Sequence, residues 1–406
     1  GGTGGGTGGG DGTGGGTGGG GGTGGSGGTG GGGTPRQDAP DIFWVNRAQI
    51  NETAIWYLAD VNQVVDAKFV TFGANFGQDA GKRIQPSLVQ DWRVVNTGDF
   101  DNDTIADVLW QNDQDGRTAI WFMGANAVLE NVGYIQENDE VLIPTPNTNL
   151  WPAVGSADMN GDGNLDIVWR NTEEDLSAIW LLPGTRGTNI LSPDSVGTRG
   201  INILPDGGIF VSNAQDQRAK TGTTSSDLVG LGDFNGDGQT DFLYRDIPQN
   251  LTTVWLMNGT TLAQSISLPG LSDPLDPAAS ATVGDFNGDN IDDIVWRYAP
   301  TDTTVLWVLS TTGNQIQVTP NTLPQTGFTT WLVRDAADFN NDLTDDLLWQ
   351  SSDLNQQAIW LMQNGTLQES FDMEYDLPPT LSSQLAQPGG EGWILEGANN
   401  FGPVPT

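Results

Sequence analysis

Cysteine and histidine are both missing from this chain of 406 residues. Without cysteine no disulfide staples the fold and no thiolate can act as nucleophile, although the compartment stays open. Without histidine the usual general base, the usual nucleophile activator and the commonest zinc ligand are gone. No apolar run approaches the roughly 18 residues of a membrane-spanning helix. Basic residues are scarce: 15 Lys and Arg stand against 51 Asp and Glu, for a net charge of −36. Such a chain repels DNA, RNA and anionic membranes, so nucleic acid is not an expected partner. A start at Gly1, without methionine, leads us to expect removal of a leader.

Acidic excess often signals disorder, but 15 tryptophans and 14 phenylalanines argue for a packed core. The core cannot lie in residues 1–34, which hold 25 glycines, seven threonines, Ser26 and Asp11. A flexible tail is one reading of this segment. Glycine loses the most freedom on ordering, so the other reading requires a surface on a neighbouring chain to hold the arm. Extended like polyproline II at about 3.1 Å per residue, the arm spans roughly 105 Å. A compact domain of the remaining size is only about 50 Å across. The arm therefore reaches past its own domain, which makes copies of this chain the expected partner. Thr3, Thr7, Thr13, Thr17, Thr23 and Thr29 recur at short intervals and are candidate acceptors for O-linked sugars. Residues 35–40 read as a hinge, and residues 41–406 as one repetitive domain.

The repeat has a period of about 50–75 residues. An acidic loop (DFDNDTIAD, DMNGDGNLD, DFNGDGQTD, DFNGDNIDD, DFNNDLTDD) precedes an apolar run ending in an aromatic. Eleven residues later comes a tryptophan, as from Trp110 to Trp121, Trp169 to Trp180 and Tyr244 to Trp255. The runs are short, β-branched and aromatic, and Gly, Asn, Asp and Pro punctuate them. Each unit supplies four strands; in one they are expected at 92–97, 108–111, 118–123 and 127–135. Tandem four-stranded sheets predict an all-β propeller. A further unit is split: 41–58 reads as the second half of a repeat and 392–401 as the first half, so a C-terminal strand closes the ring and removes a sheet edge. Residues 183–226 hold an insertion too short for another blade. The count is six, with seven as the alternative.

Positions 1, 3, 5 and 9 of every acidic loop are Asp or Asn. They are Asp99, Asp101, Asp103 and Asp107; Asp158, Asn160, Asp162 and Asp166; Asp233, Asn235, Asp237 and Asp241; Asp285, Asn287, Asp289 and Asp293; Asp338, Asn340, Asp342 and Asp346. Alternate side chains of a tight loop converge, and a carbonyl near position 7 adds an oxygen. This flexible all-oxygen set suits Ca²⁺, whereas transition metals favour His or Cys. An EF-hand is excluded, because position 12 is Trp or Tyr where a bidentate Glu is required, and no helices flank the loop. Simple turn chemistry with solvated acids explains one such loop but explains five copies poorly. About five calcium ions are expected.

Together, the DFNGDG…D loop, the DIVW run and the AIWLM run resemble FG-GAP/VCBS repeats, as in integrin α-subunit propellers and bacterial surface proteins. The resemblance covers about residues 41–402. It implies a propeller with calcium in its loops, an extracellular or cell-surface location and a role in adhesion or matrix formation; it implies no activity. Integrin propellers have seven blades, so six is a departure. At the split unit, Asn400, Phe401 and Gly402 lie far in sequence from Asp41, and no calcium is expected there.

Several features invite other readings. The tryptophans invite a sugar-platform reading, but their fixed register favours core packing. The sequons at Asn51, Asn250, Asn258 and Asn364 permit N-glycosylation, yet Asn-Gly-Thr is also hairpin chemistry. Glu173 and Glu174 form a carboxylate pair, but on a polar turn they read as solvated rather than as a glycosidase dyad. The expected function is a non-catalytic structural subunit of a surface fibre or matrix. The alternative is a monomeric adhesin or glycan-binding propeller on a flexible tether. An enzyme is the least supported reading.

Overall fold

The computed structural model describes residues 40–46, 52–82, 91–137, 140–141, 151–184, 208–271, 279–313, 315–351, 356–375 and 393–400. The Gly/Thr arm, its threonines, the hinge to residue 39 and much of the 183–226 insertion lie outside these residues.

Each repeat begins with a strand that ends at the acidic loop. The next strand, as in Asp107–Asn112, has an apolar centre between polar ends and is buried along its whole length. Such a strand has both faces covered, which is what packing between two neighbouring sheets demands. A third strand returns (Thr118–Gly124), and a fourth, more polar strand (Val128–Tyr134) lies at the rim. The strands expected for this unit thus form within a residue or so of their expected bounds. Five units repeat the pattern in unbroken order, and these are blades 2 to 6. Their innermost strands are Trp92–Gly98, Ala153–Ala157, Ser226–Gly232, Ser280–Gly284 and Trp331–Ala337.

Blade 1 joins the two ends of the chain. Trp393–Asn399 is its innermost strand and pairs antiparallel with Asp41–Asn46, from Asp41↔Asn399 to Asn46↔Trp393. The innermost strands pack in ring order, and Trp393–Asn399 touches both Trp92–Gly98 and Trp331–Ala337. The ring therefore closes at six blades. Among the described residues, three junctions also carry an outer strap. Thr71–Phe72, Ser212–Asn213 and Glu374–Tyr375 each leave one blade and pair in parallel with the rim strand of the next. Inside the expected insertion, Ile209–Phe210 provides the rim strand of blade 3. The described helical content is two 3-10 segments, Ala74–Asp79 and Ala299–Thr301.

The core is divided among the junctions. Six apolar clusters each join one blade to the next; in one, Phe43, Ile55 and Tyr57 of blade 1 meet Trp110 and Trp121 of blade 2. Every blade contributes an aromatic pair. Trp44–Trp56, Trp110–Trp121, Trp169–Trp180, Tyr244–Trp255 and Trp349–Trp360 have ring centroids 4.4–4.6 Å apart, and Trp296–Trp307 5.4 Å. These rings are buried, so they pack blades together and form no exposed platform. Each pair adds about 0.5–1.5 kcal/mol beyond its buried area. At the rim of blade 6, Asn364 and Gly365 take φ of 51° and 70°, the left-handed pair of a tight hairpin turn.

Candidate metal centres

All five acidic loops join the innermost strand of a blade to its second strand, so they share one face of the ring. Each loop is knotted by its own carboxylates. The position-1 Asp accepts the position-5 amide through Oδ1 at 3.1–3.2 Å and the position-6 amide through Oδ2 at 2.7–2.9 Å. The position-5 Asp accepts the position-7 amide at 2.8–2.9 Å. Positions 4 and 6 turn left-handed: Gly161, Gly163, Gly236 and Gly238 have φ of 74–85°. Non-glycine residues at these positions pay for the same turn, most visibly Leu343 at φ 69° with 83% of its surface exposed.

Position 9 opens the second strand and is fully buried: Asp107, Asp166, Asp241, Asp293 and Asp346. Through Oδ1 each accepts an amide of the third strand or, in blade 3, of the residue two past its end: Met123, Leu182, Met257, Leu309 or Met362, always at 2.8 Å. Through Oδ2 four of them accept the position-2 amide of their own loop at 3.0–3.2 Å. In blade 5 that second bond is missing, and Asp293 Oδ2 is buried without a hydrogen-bond partner. Burial, reinforced by Asp101 and Asp103, pushes Asp107 up to about 9 against the bonds from Met123 and Phe100. Burial likewise pushes Asp241, Asp293 and Asp346 to about 8, with neighbouring loop carboxylates adding to it. Asp166 is raised for the same reason.

In blade 2, carboxylate oxygens of Asp99, Asp101 and Asp107 lie within 4.8 Å of one another. Asp103, the fourth residue expected there, lies outside that trio. Blades 3 to 6 carry Asn at position 3, and its side chain shapes the loop: Asn160, Asn235 and Asn340 each donate to the position-5 carboxylate at 2.9–3.1 Å. Blade 1 keeps only the buried end of the pattern. Asp41 accepts the Leu58 amide at 3.2 Å, as a position-9 Asp does, but the innermost strand facing it ends at Asn399, far away in sequence.

The motif reading overlooked two further sets of residues. On the opposite face, the residue after the second-strand aromatic clasps the next blade. Gln111 donates to Trp151 O, Arg170 to Ser226 O, Arg297 to Trp331 O and Gln350 to Trp393 O, at 2.7–3.1 Å. Arg170, Arg245 and Arg297 also lie over Tyr244, Trp296 and Trp349 of the following blade. The recurring Gln or Arg after each DIVW-type run was the available signal. On the acidic face, position 8 is Asp in blades 5 and 6. Asp292 accepts the Asp233 amide at 2.7 Å and Asp345 the Asp285 amide at 3.0 Å, linking each loop to the one before it. Asp335 plays the same part between blades 6 and 1, accepting the Ala398 amide at 2.7 Å.

Residues 99–169 and 233–296 match the model of the FG-GAP-like repeat. No curated protein matches the chain by sequence. Among solved structures, a chain of the Photorhabdus luminescens Tc holotoxin pore aligns at 16% identity and a TM-score of 0.32. That alignment covers 66% of this chain, which spans only 13% of the toxin chain's length. The crystal structure of a nidogen/laminin complex contains a chain aligned at 10% identity and a TM-score of 0.41, covering 82% of this chain and 93% of the other.

Proposed function

We propose that this chain, whose FG-GAP-like repeats fold into a six-bladed propeller, is a non-catalytic calcium-binding subunit of an extracellular fibre or matrix. Positions 1, 3, 5 and 9 of the five continuous loops are the residues that would hold the ions. The observation that carries the calcium reading is the trio of Asp99, Asp101 and Asp107, with oxygens within 4.8 Å. Oxygens on opposite sides of one calcium ion stand up to about 5 Å apart, so the trio fits around a single ion. The buried, unpartnered Asp293 Oδ2 is a second point of fit. A bound divalent cation supplies the positive charge that lets clustered, buried carboxylates stay ionised. The protein's own part is to hold those carboxylates on backbone amides. The split loop at blade 1 lacks a continuous donor set and takes no ion.

The fibre reading rests on the length and composition of residues 1–34, which suit a neighbouring copy better than the domain that bears them. Two measurements test the proposal. Desalted protein should retain about five calcium ions, and chelation should lower Tm by more than 10 °C. Retention of no metal, with an unchanged Tm, would sink the calcium reading. Electron micrographs in millimolar calcium should show fibres or sheets that vanish when residues 1–34 are removed. Monomers alone would favour the tethered adhesin.

A further inference from the structure

Position 8 of each acidic loop stands immediately before the buried position-9 Asp, and it differs from blade to blade: Ala106, Leu165, Thr240, Asp292 and Asp345. In blades 5 and 6 it grips position 1 of the preceding loop at two points. Asp292 accepts the Asp233 amide through Oδ2 at 2.7 Å, and its own amide donates to Asp233 O at 2.9 Å. Asp345 accepts the Asp285 amide through Oδ2 at 3.0 Å, and its own amide donates to Asp285 O at 2.8 Å. One residue of the next blade thus holds position 1 at both its N–H and its C=O. Glycine makes room for this approach. A Cβ on Gly232 would lie 2.6 Å from Asp292 Oδ2, and one on Gly284 2.7 Å from Asp345 Oδ2, closer than packed atoms tolerate.

The other position-8 residues lack the side-chain half of this clamp. Ala106 and Leu165 have no polar side-chain atom, and the Leu165 side chain covers Gly98 instead. The Thr240 hydroxyl is buried without a hydrogen-bond partner. The loops of blades 2 and 3 are joined only at their exposed tips, where Asn102 donates to the Asn164 side chain at 2.8 Å. That bond grips neither a position-1 nor a position-9 residue. Asp292 and Asp345 therefore string the loops of blades 4, 5 and 6 together and leave those of blades 2 and 3 unclamped.

We infer that Asp292 and Asp345 are positioning residues that couple the ion sites of blades 4, 5 and 6, which fill cooperatively, while those of blades 2 and 3 fill independently. This rests on the calcium reading of the loops and adds regulation to it. When the blade 5 loop is occupied, Asp293 is fixed through its otherwise unpartnered Oδ2. Asp292 beside it is fixed too, and its clamp holds Asp233 in place in blade 4. Asp345 does the same for Asp285 when the blade 6 loop is occupied. Each filled loop spares its neighbour part of the cost of ordering, which is positive cooperativity. Repulsion between ions acts at every pair of neighbouring loops, so blades 2 and 3 provide a comparison within the same molecule.

Calorimetric titration of the full, chelator-stripped chain with calcium tests this. About five ions should bind, three of them in a phase with a Hill coefficient of about 1.5 or more. Asp292→Leu with Asp345→Leu copies the side chain that blade 3 carries at position 8. This variant should bind as many ions, but the three should bind independently and at least about fivefold more weakly. Asp292→Asn with Asp345→Asn keeps an acceptor oxygen for each amide and should stay cooperative. Asp289→Ala leaves both clamps in place and removes the middle site: two of the four remaining ions should bind at least about fivefold more weakly. Asp103→Ala in blade 2 should leave the cooperative phase untouched. Independent binding of all ions by the unsubstituted chain overturns the inference and leaves the calcium reading standing. So does cooperativity that survives in the Leu variant, equal loss of it in the Asn variant, or unchanged affinity at the four sites left by Asp289→Ala. No calcium bound to the unsubstituted chain sinks both.

Discussion

The two faces of the ring are held by different chemistry. On one face each acidic loop is a knot within its own blade, whose hydrogen bonds link residues 2 to 16 positions apart. On the other face Gln111, Arg170, Arg297 and Gln350 clasp backbone carbonyls 34 to 56 residues away, in the next blade. The knots shape each sheet, and the clasps, joined on the acidic side by Asp292, Asp345 and Asp335, set one sheet against another. A lost knot should therefore damage a blade from within, and a lost clasp should loosen a junction while leaving blades intact.

The sharpest way to break this contrast is Asp241→Ala, which strips the acceptor from the buried amides of Met257 and Phe234. Two orphaned buried amides cost about 1–3 kcal/mol each, so stability should fall by about 4 kcal/mol. Denaturant melts will register this, and hydrogen exchange should show blade 4 losing protection first; loss confined to the junctions would contradict the knot. Arg297→Ala removes a clasp and leaves Asp302 without its buried partner. The expected cost is about 3 kcal/mol. Exchange should then rise where Phe328–Trp331 meets blade 5, while the blade 5 ladder stays protected.

A pH series sharpens the comparison at the closing seam. Burial, against hydrogen bonds from Ala398 and Ala336, pushes Asp335 up to about 7. An unfolded aspartate titrates near 3.9, so between about pH 4 and pH 7 the folded chain binds the extra proton. This group's contribution to stability is therefore full below about pH 4, falls as pH rises to about 7, and is flat beyond. Asp335→Asn should remove that fall, so the melting temperature of the variant relative to the unsubstituted chain should rise between pH 5 and pH 8. A constant difference would mean that the carboxyl does not titrate there. The smallest effect is expected at the tip of a knot. Leu343→Gly relieves a left-handed backbone at an exposed side chain and should raise stability by up to about 1 kcal/mol. A loss larger than that would show that the leucine packs against something in solution.

Much of the candidate site was legible in the residues. The spacing of Asp99, Asp101, Asp103 and Asp107 and its four later copies announced a carboxylate loop, because such a loop is built from neighbours in the chain. Their roles were less visible. Position 9 spends both oxygens on amides in four blades, one of them 16 residues on, and that requires the third strand to be in place. Asn160, Asn235 and Asn340 were singled out for their side-chain oxygens; that their side-chain nitrogens also donate to the position-5 carboxylate is visible only in the folded loop. The clasps went unread because the recurring Gln or Arg after each run does not name its partner by spacing. Its partner is a backbone carbonyl, which looks the same at every residue.

By itself the sequence determined the sheet unit, the aromatic pair in each blade and the acidic loop, because strand propensity, turn chemistry and short spacings act between residues close in the chain. It also marked 41–58 and 392–401 as two halves of one unit. Only the tertiary structure decided that the ring closes at six, which innermost strand touches which, and which loops Asp292 and Asp345 clamp. Those outcomes depend on how whole sheets twist and stack, and on contacts such as Asp41 with Asn399 between residues at opposite ends of the chain.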